Sequence, residues 1–345
     1  MGIRNLNRWL DWVARRSVGT VDWSRFANAA VGIDILSFLY RSKQEYDSPL
    51  PTVAALIRDL RAHGIEPIVV FDGRTPTEKT ARRKSPVGSD AAAGGTTGAA
   101  AAANPASPRV SAEDRNLVKN FLYTCGVLAL NAEHEADSVL AVMARTGKVA
   151  AVISSDTDFL ARGIEHLILP PATGSVPSNQ WKYIHLPTLL EEAGLTHDRF
   201  IAMCVLLGCD YAPTIPTISY QSAYWIARRG DTAAAALAAA LVREGIRTTT
   251  PWESAVEILR GTRDTWDSVL APKQREKWSA GAPPPELAAL ESMLEALESL
   301  HPCGIVVAAD LLPACKSSRG GHYGSCRPSA TATTTAYNYP ECSHG

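Results

Sequence analysis

The chain of 345 residues lacks any apolar run approaching the roughly 20 residues that span a bilayer, and no secretory leader opens it. A soluble, non-secreted protein is therefore expected, with no membrane partner. Cysteine is sparse and odd in number, seven scattered residues, which argues against a disulfide-stapled scaffold and for reduced thiols in a cytosolic or nuclear compartment. Cys315, His322, Cys326 and Cys342 gather in the tail, but their spacings match no short paired-ligand zinc pattern. An excess of one charge is missing too, the formal net charge being −1. Setting aside the seven carboxylates introduced below leaves the remainder at +6, so an anionic substrate is not excluded. Hydrophobic residues make up 46%, ample for one large core or two small ones.

Leu6, Trp9, Leu10 and Val13 recur at helical spacing and predict a helix within residues 1–16. Val31-Gly32-Ile33 reads as a buried strand ending at Asp34, with a helix from Leu36 to Ser42 after it. An amphipathic helix over Thr52 to His63 stops at Gly64, and Pro67 to Phe71 forms a second strand running into Asp72. Such a strand, helix, strand unit makes a right-handed parallel crossover. Residues 85–108 are Ala, Gly, Pro, Ser and Thr with a single charge, Asp90, and read as an insertion or linker. The alternation resumes with a helix over Ala112 to Thr124, a strand over Gly126 to Leu130, a helix over Glu135 to Thr146 and a strand over Val149 to Ser154. A helix over Thr196 to Leu207 stops at Gly208 and leaves Cys209-Asp210-Tyr211 in a turn. Beyond Tyr220 the pattern is helical, including 232–243, 251–260 and 285–300, and the final thirty residues read as disordered.

The acids carry the chemistry. Asp34, Asp72 and the Asp156/Asp158 pair each follow a predicted strand, Glu133 and Glu135 lie between a strand and its helix, and Asp210 follows a helix end. Open parallel sheets gather function at the carboxyl ends of their strands, so the acids are expected at one edge. Any one aspartate there reads equally well as a helix cap. Together they raise one another's pKa and call for cations. All-oxygen ligands favour Mg²⁺ or Mn²⁺ over zinc, and seven acids suit two ions about 3.5–4 Å apart, clamping the oxygens of a phosphodiester. His134, between two acids, reads as solvent-facing or packing rather than as a ligand, and Cys209 as buried packing rather than as a nucleophile.

The chain resembles the XPG/flap-endonuclease family of structure-specific nucleases. The resemblance rests on Met1-Gly2-Ile3-Arg4; Gly32-Ile33-Asp34; Pro67 to Gly73 with Pro76 and Lys79; Glu133-His134-Glu135-Ala136; Ser155 to Leu160 with Gly163; and Leu207 to Tyr211 with Pro213 and Ile215-Pro216, in family order across about residues 1–265. It implies a mostly parallel α/β nuclease core followed by a degenerate helical DNA-binding region. The regions would be 1–84 and 111–216 for the nuclease, 85–110 for an insertion in the arch, 217–300 for the helical part and 301–345 for the tail. It also implies two Mg²⁺ ions, with Mn²⁺ as a substitute. Asp34, Asp72, Glu133, Glu135 and Asp156 would hold one ion directly or through water, and Asp158 and Asp210 would complete the second. Lys79, with Arg82 and Arg83, would stabilise the scissile phosphate, and Gly2, Tyr40, Arg74 and Lys84 would contact DNA. The plain alternatives are a solvated helix face for the basic run 74–84 and a core tyrosine at 40.

Departures from the family pattern bear on substrate selection. Thr217-Ile218-Ser219 stands where a Gly-Ile-Gly hairpin would bring duplex phosphates close, Ser155 stands where many members have another acid, and no sliding-clamp motif is found. The resemblance thus implies a metal-dependent 5′ nuclease acting on flapped or otherwise branched DNA, or on RNA-containing duplex, with a nuclear address. The rival is an XPG-like protein that binds nucleic acid or scaffolds without cutting.

Overall fold

Uninterrupted apolar runs, the mark of strands buried on both faces, form the centre of the sheet. The computed structural model describes residues 2–74, 109–171, 181–212, 214–230, 232–246, 250–262 and 264–271, all within one compact unit, Met1–Pro313. The elements run α1 (Leu6–Val13), β1 (Val18–Thr20), β2 (Ala30–Asp34), α2 (Leu36–Tyr46), α3 (Leu50–Ala62), β3 (Glu66–Phe71), α4 (Ala112–Thr124), β4 (Leu128–Asn131), α5 (Ala136–Arg145) and β5 (Ala151–Ile153). They continue with α6 (Asp158–Ala161), β6 (His166–Leu169), β7 (Lys182–His185), α7 (Leu186–Ala193), α8 (His197–Leu207), α9 (Tyr220–Arg229), α10 (Ala233–Arg243), α11 (Thr250–Arg260) and α12 (Trp266–Val269).

Seven strands form one sheet in the order β1-β7-β6-β5-β2-β3-β4. The run from β6 to β4 is parallel, while β7 is antiparallel to both β6 and β1, so the sheet is mixed but mostly parallel, as expected. Alternation along β3 divides the core. Ile68 and Val70 join Trp9, Leu140, Phe159 and Phe200 on one side, while Val69 and Phe71 join Ile33, Phe38, Ile57 and Phe121 on the other. Gly32 lets α5 sit close on β2, because a Cβ there would lie 2.5 Å from Leu140 Cδ2.

Several boundaries differ from expectation for local reasons. The first helix spans only Leu6–Val13. Asn5 before it is left-handed at φ 57°, and Ala14 after it is extended. The chain beyond is captured by Glu192 of α7, whose carboxylate accepts the amides of Arg15, Arg16 and Ser17 at 3.1, 2.6 and 3.2 Å and the Ser17 hydroxyl at 2.5 Å. The fourth strand begins at Leu128 rather than Gly126, since Gly126, at φ 65°, closes α4 with its amide on Tyr123 O and Val127 N on Leu122 O. The helix expected over Leu36 to Ser42 extends to Tyr46, and its successor begins at Leu50. Strands β1, β6 and β7 and helix α7 had no expectation. The insertion at 85–108, the helix over 285–300, the tail and its zinc reading lie outside the described residues.

Candidate active site

Parallel pairing of β5, β2, β3 and β4 brings the turns after these strands to one sheet edge. Asp34 ends β2, Asp72 follows β3, Glu133 and Glu135 follow β4, and Asp156 follows β5. Gly73 joins two of these turns: its amide donates to His134 O at 2.6 Å and the Arg74 amide to Glu133 O at 3.0 Å. A Cβ at Gly73 would meet Ala132 O at 2.2 Å, so only glycine permits that approach.

The buried Ser154 hydroxyl donates to Asp34 Oδ2 at 2.8 Å and accepts the Asp156 amide at 3.0 Å. Asp72 Oδ1 accepts the Ala136 amide at 2.8 Å, at the positive end of α5. Asp156 Oδ1 accepts the amide of buried Asp158 at 2.8 Å, and Asp34 Oδ1 that of Leu36 at 3.4 Å. Three of the acids thus accept the first amide of a neighbouring helix, although none is that helix's N-cap residue. Burial, then the charges of Asp72 and Asp156, push Asp34 up to about 7 despite the Ser154 and Leu36 hydrogen bonds. Among the described residues no three acid, histidine or cysteine side chains are grouped to hold a metal ion. The expected convergence is therefore electrostatic and topological here, and amide or hydroxyl donors occupy oxygens that an ion would take.

Asp210 lies half-buried in the turn after α8, beside buried Cys209. The amino terminus threads across this edge: Arg4 N donates to Gly208 O at 3.0 Å, and a Cβ on Gly2 would fall 2.7 Å from Asp156 Oδ1. Tyr40 on α2 is 42% exposed, which removes the core alternative for it. Arg74 and His134 are exposed. Lys79, Arg82, Arg83 and Lys84 lie outside the described residues. The Thr217 hydroxyl donates to the Glu244 carboxylate, Ile218 is buried, and Ser219 caps α9 by accepting Ser222 N at 3.1 Å, so side-chain hydroxyls organise the segment that lacks glycines.

A buried charge network escaped the sequence reading. Arg162, with a 1% exposed side chain, lies 3.9 Å from Glu135, 3.9 Å from Asp137 and 3.7 Å from Asp264. It donates to the Tyr211 hydroxyl at 2.9 Å, and that hydroxyl donates to Glu135 Oε2. Burial raises Asp137 well above the carboxylate range against the pull of Arg162. A signal was present: Arg162 follows the apolar run Phe159-Leu160-Ala161, where a cation must be buried with partners or displaced to the surface.

Comparison with known proteins agrees with this architecture. Residues 1–85 match the XPG N-terminal domain and residues 126–210 the XPG I-region. A similar relative is flap endonuclease 1 of Entamoeba histolytica, 26% identical over 248 residues, covering 65% of this chain and 66% of the relative. The chain spans just under two thirds of the length of the curated relatives it matches first. Among solved structures, the catalytic core of Rad2 in complex with DNA substrate superposes with a TM-score of 0.60 at 16% identity, covering 87% of this chain and 94% of that one. The Holliday junction-resolving enzyme GEN1 in complex with product DNA, Mg²⁺ and Mn²⁺ gives 0.55 at 17% identity, covering 84% and 71%. The fold is thus a mostly parallel α/β core of the kind seen in these structures, with acids at its strand ends. The chain belongs to the XPG/flap-endonuclease family.

Proposed function

We propose that this protein is a divalent-metal-dependent, structure-specific 5′ nuclease that hydrolyses phosphodiesters in flapped or otherwise branched DNA. The observation that carries the reading is the delivery of Asp34, Asp72, Glu133, Glu135 and Asp156 to one edge by parallel strands, where burial, then the charges of Asp72 and Asp156, lift Asp34 to about 7. An all-carboxylate donor set fits Mg²⁺ or Mn²⁺. These five acids would hold one ion, directly or through water, and Asp158 and Asp210 a second. Bound ions would neutralise charge on the attacking and leaving oxygens of the phosphate diester. The chain's own residues would do the rest. Ser154 fixes the Asp34 carboxylate, the Ala136 amide fixes Asp72, and exposed Tyr40 offers a stacking face for a base at the mouth of the site. Lys79, Arg82 and Arg83 would face the scissile phosphate, and Gly2, Arg74 and Lys84 the DNA backbone. The names of the similar relatives support the substrate class.

The amide and hydroxyl bonds that occupy the acids favour one rival, a protein that binds branched nucleic acid without cutting it. Purified protein incubated with labelled flap, nicked and single-stranded DNA in Mg²⁺ or EDTA separates the two. The nuclease reading expects Mg²⁺-dependent product, greatest on the flap. Retarded complexes with no product on any of the three would establish the rival.

A further inference from the structure

The Arg162 network joins several of the segments that carry or flank the acid edge. Arg162 closes the α6 turn bearing Asp158; Tyr211 adjoins Asp210; Glu135 and Asp137 open α5; Asp264 precedes α12. The guanidinium also donates to Ser138 Oγ at 3.3 Å. Its planar fork donates in fixed directions to two hydroxyls, Tyr211 and Ser138, while the three carboxylates stand around it at 3.7–3.9 Å, an arrangement a flexible ammonium cannot reproduce. The tyrosine hydroxyl, receiving from Arg162 and donating to Glu135, is polarised so that its proton points at the carboxylate. Glu135 is consequently aimed by a relay rather than left to rotate.

Its neighbour Glu133 is held from the other side. The Glu133 amide donates to Val269 O at 2.8 Å, the Ala271 amide to Asn131 O at 3.2 Å, and Ala132 bridges antiparallel to Leu270. The segment that supplies this clasp begins at Asp264, the third carboxylate around Arg162. One buried cation thus joins the side chain that orients Glu135 to the segment that clasps Glu133.

We propose that Arg162, acting through the Tyr211 hydroxyl, is a positioning residue that sets Glu135 for divalent-metal binding. This rests on the acid edge being a metal site, as argued above. Groups that orient a metal's ligands change affinity by about 10- to 100-fold when removed.

The test is Mn²⁺ titration of the full chain, followed by the electron paramagnetic resonance of free Mn²⁺. Wild type, Tyr211→Phe, Arg162→Lys, Glu135→Gln and Tyr211→Phe/Glu135→Gln are compared, with thermal melting to verify folding. Tyr211→Phe deletes only the hydroxyl and keeps the packed ring, so it guards against collapse of the more drastic variants. The expected result is Mn²⁺ affinity at least about 10-fold weaker in Tyr211→Phe and weaker in Arg162→Lys, with no further loss when Tyr211→Phe is added to Glu135→Gln. Wild-type affinity in Tyr211→Phe, equal loss in the Glu135→Gln background, or no Mn²⁺ binding by wild type would each overturn it. Flap-DNA cleavage by wild type is scored in parallel. Weakened Mn²⁺ binding in Tyr211→Phe alongside an inert wild type would keep the positioning role while defeating the nuclease reading.

Discussion

Glu192 and Asp34 are both carboxylates with little contact with water, and their surroundings drive them in opposite directions. Glu192 receives one hydroxyl and three backbone amides from residues 15–17, and those donors hold it down at about 2. Asp34 is pushed up to about 7 first by burial and then by the charges of Asp72 and Asp156, against only one hydroxyl and one long amide contact. Glu192 is a completed structural joint, pinning the α1 exit to α7. Asp34 stands among acids that raise its pKa, and an external cation is the remedy that the donor chemistry suggests. Burial raises both carboxylates; the three amides and one hydroxyl on Glu192 outweigh it, whereas at Asp34 neighbouring acids add to it.

The largest effect that would sharpen this contrast is catalytic. Asp158→Asn is expected to lower Mg²⁺-dependent flap cleavage at least about 100-fold while leaving DNA retention intact, because it removes one charge from the metal set and little volume. Single-turnover cleavage and gel retardation measure the two halves, and undiminished cleavage would exclude Asp158 from the site.

Next in size is the pH dependence of the metal-free protein. Asp34 ionises near 4 when unfolded and near 7 when folded, so the folded state retains the proton longer. Its contribution is greatest below about 4, falls as pH rises from 4 to 7, and stays low above; buried Asp137 adds in the same direction. Asp34→Asn is expected to raise metal-free stability at pH 8, by on the order of a few kcal/mol, and to flatten this slope. Added Mg²⁺ should raise the wild-type Tm more at pH 8 than at pH 5. Denaturant melts at the two pH values give both results.

Glu192→Gln is the smaller and opposite case. Stability from Glu192 is present above about 4.5 and is lost as pH falls towards 2. The variant is expected to cost about 1 kcal/mol at pH 7 and to blunt acid unfolding, with DNA cleavage unchanged. Loss of cleavage with normal stability would erase the distinction between the two carboxylates.

The acid edge was legible in the sequence because β2, β3 and β5 are buried on both faces. Their apolar runs end abruptly at Asp34, Asp72 and Ser154, and parallel topology then brings those ends together. Strands β6 and β7 were not legible. Each is four residues long, and histidines or tyrosine alternate with Leu167, Ile168 and Ile184 in a way that suggests no period. Asp137 in the first turn of α5 and Arg162 after Phe159-Leu160-Ala161 drew no expectation. Their pairing joins positions far apart in sequence and exists only once α5 and α6 pack together. The hydrogen bonds that engage Asp72 and Asp156 were hidden for the same reason, since their donors are backbone amides that every residue carries.

The central claim, that the carboxyl ends of these strands form a divalent-metal site, is tested most directly by a crystal structure of the full chain soaked in Mn²⁺ with anomalous diffraction. The account predicts anomalous peaks at the edge between Asp34 and Asp158, with the Asp72 and Asp156 carboxylates turned from their amide donors toward the ions. A well-ordered edge with no anomalous peak, its acids still held by Ala136 N and Asp158 N, would contradict it.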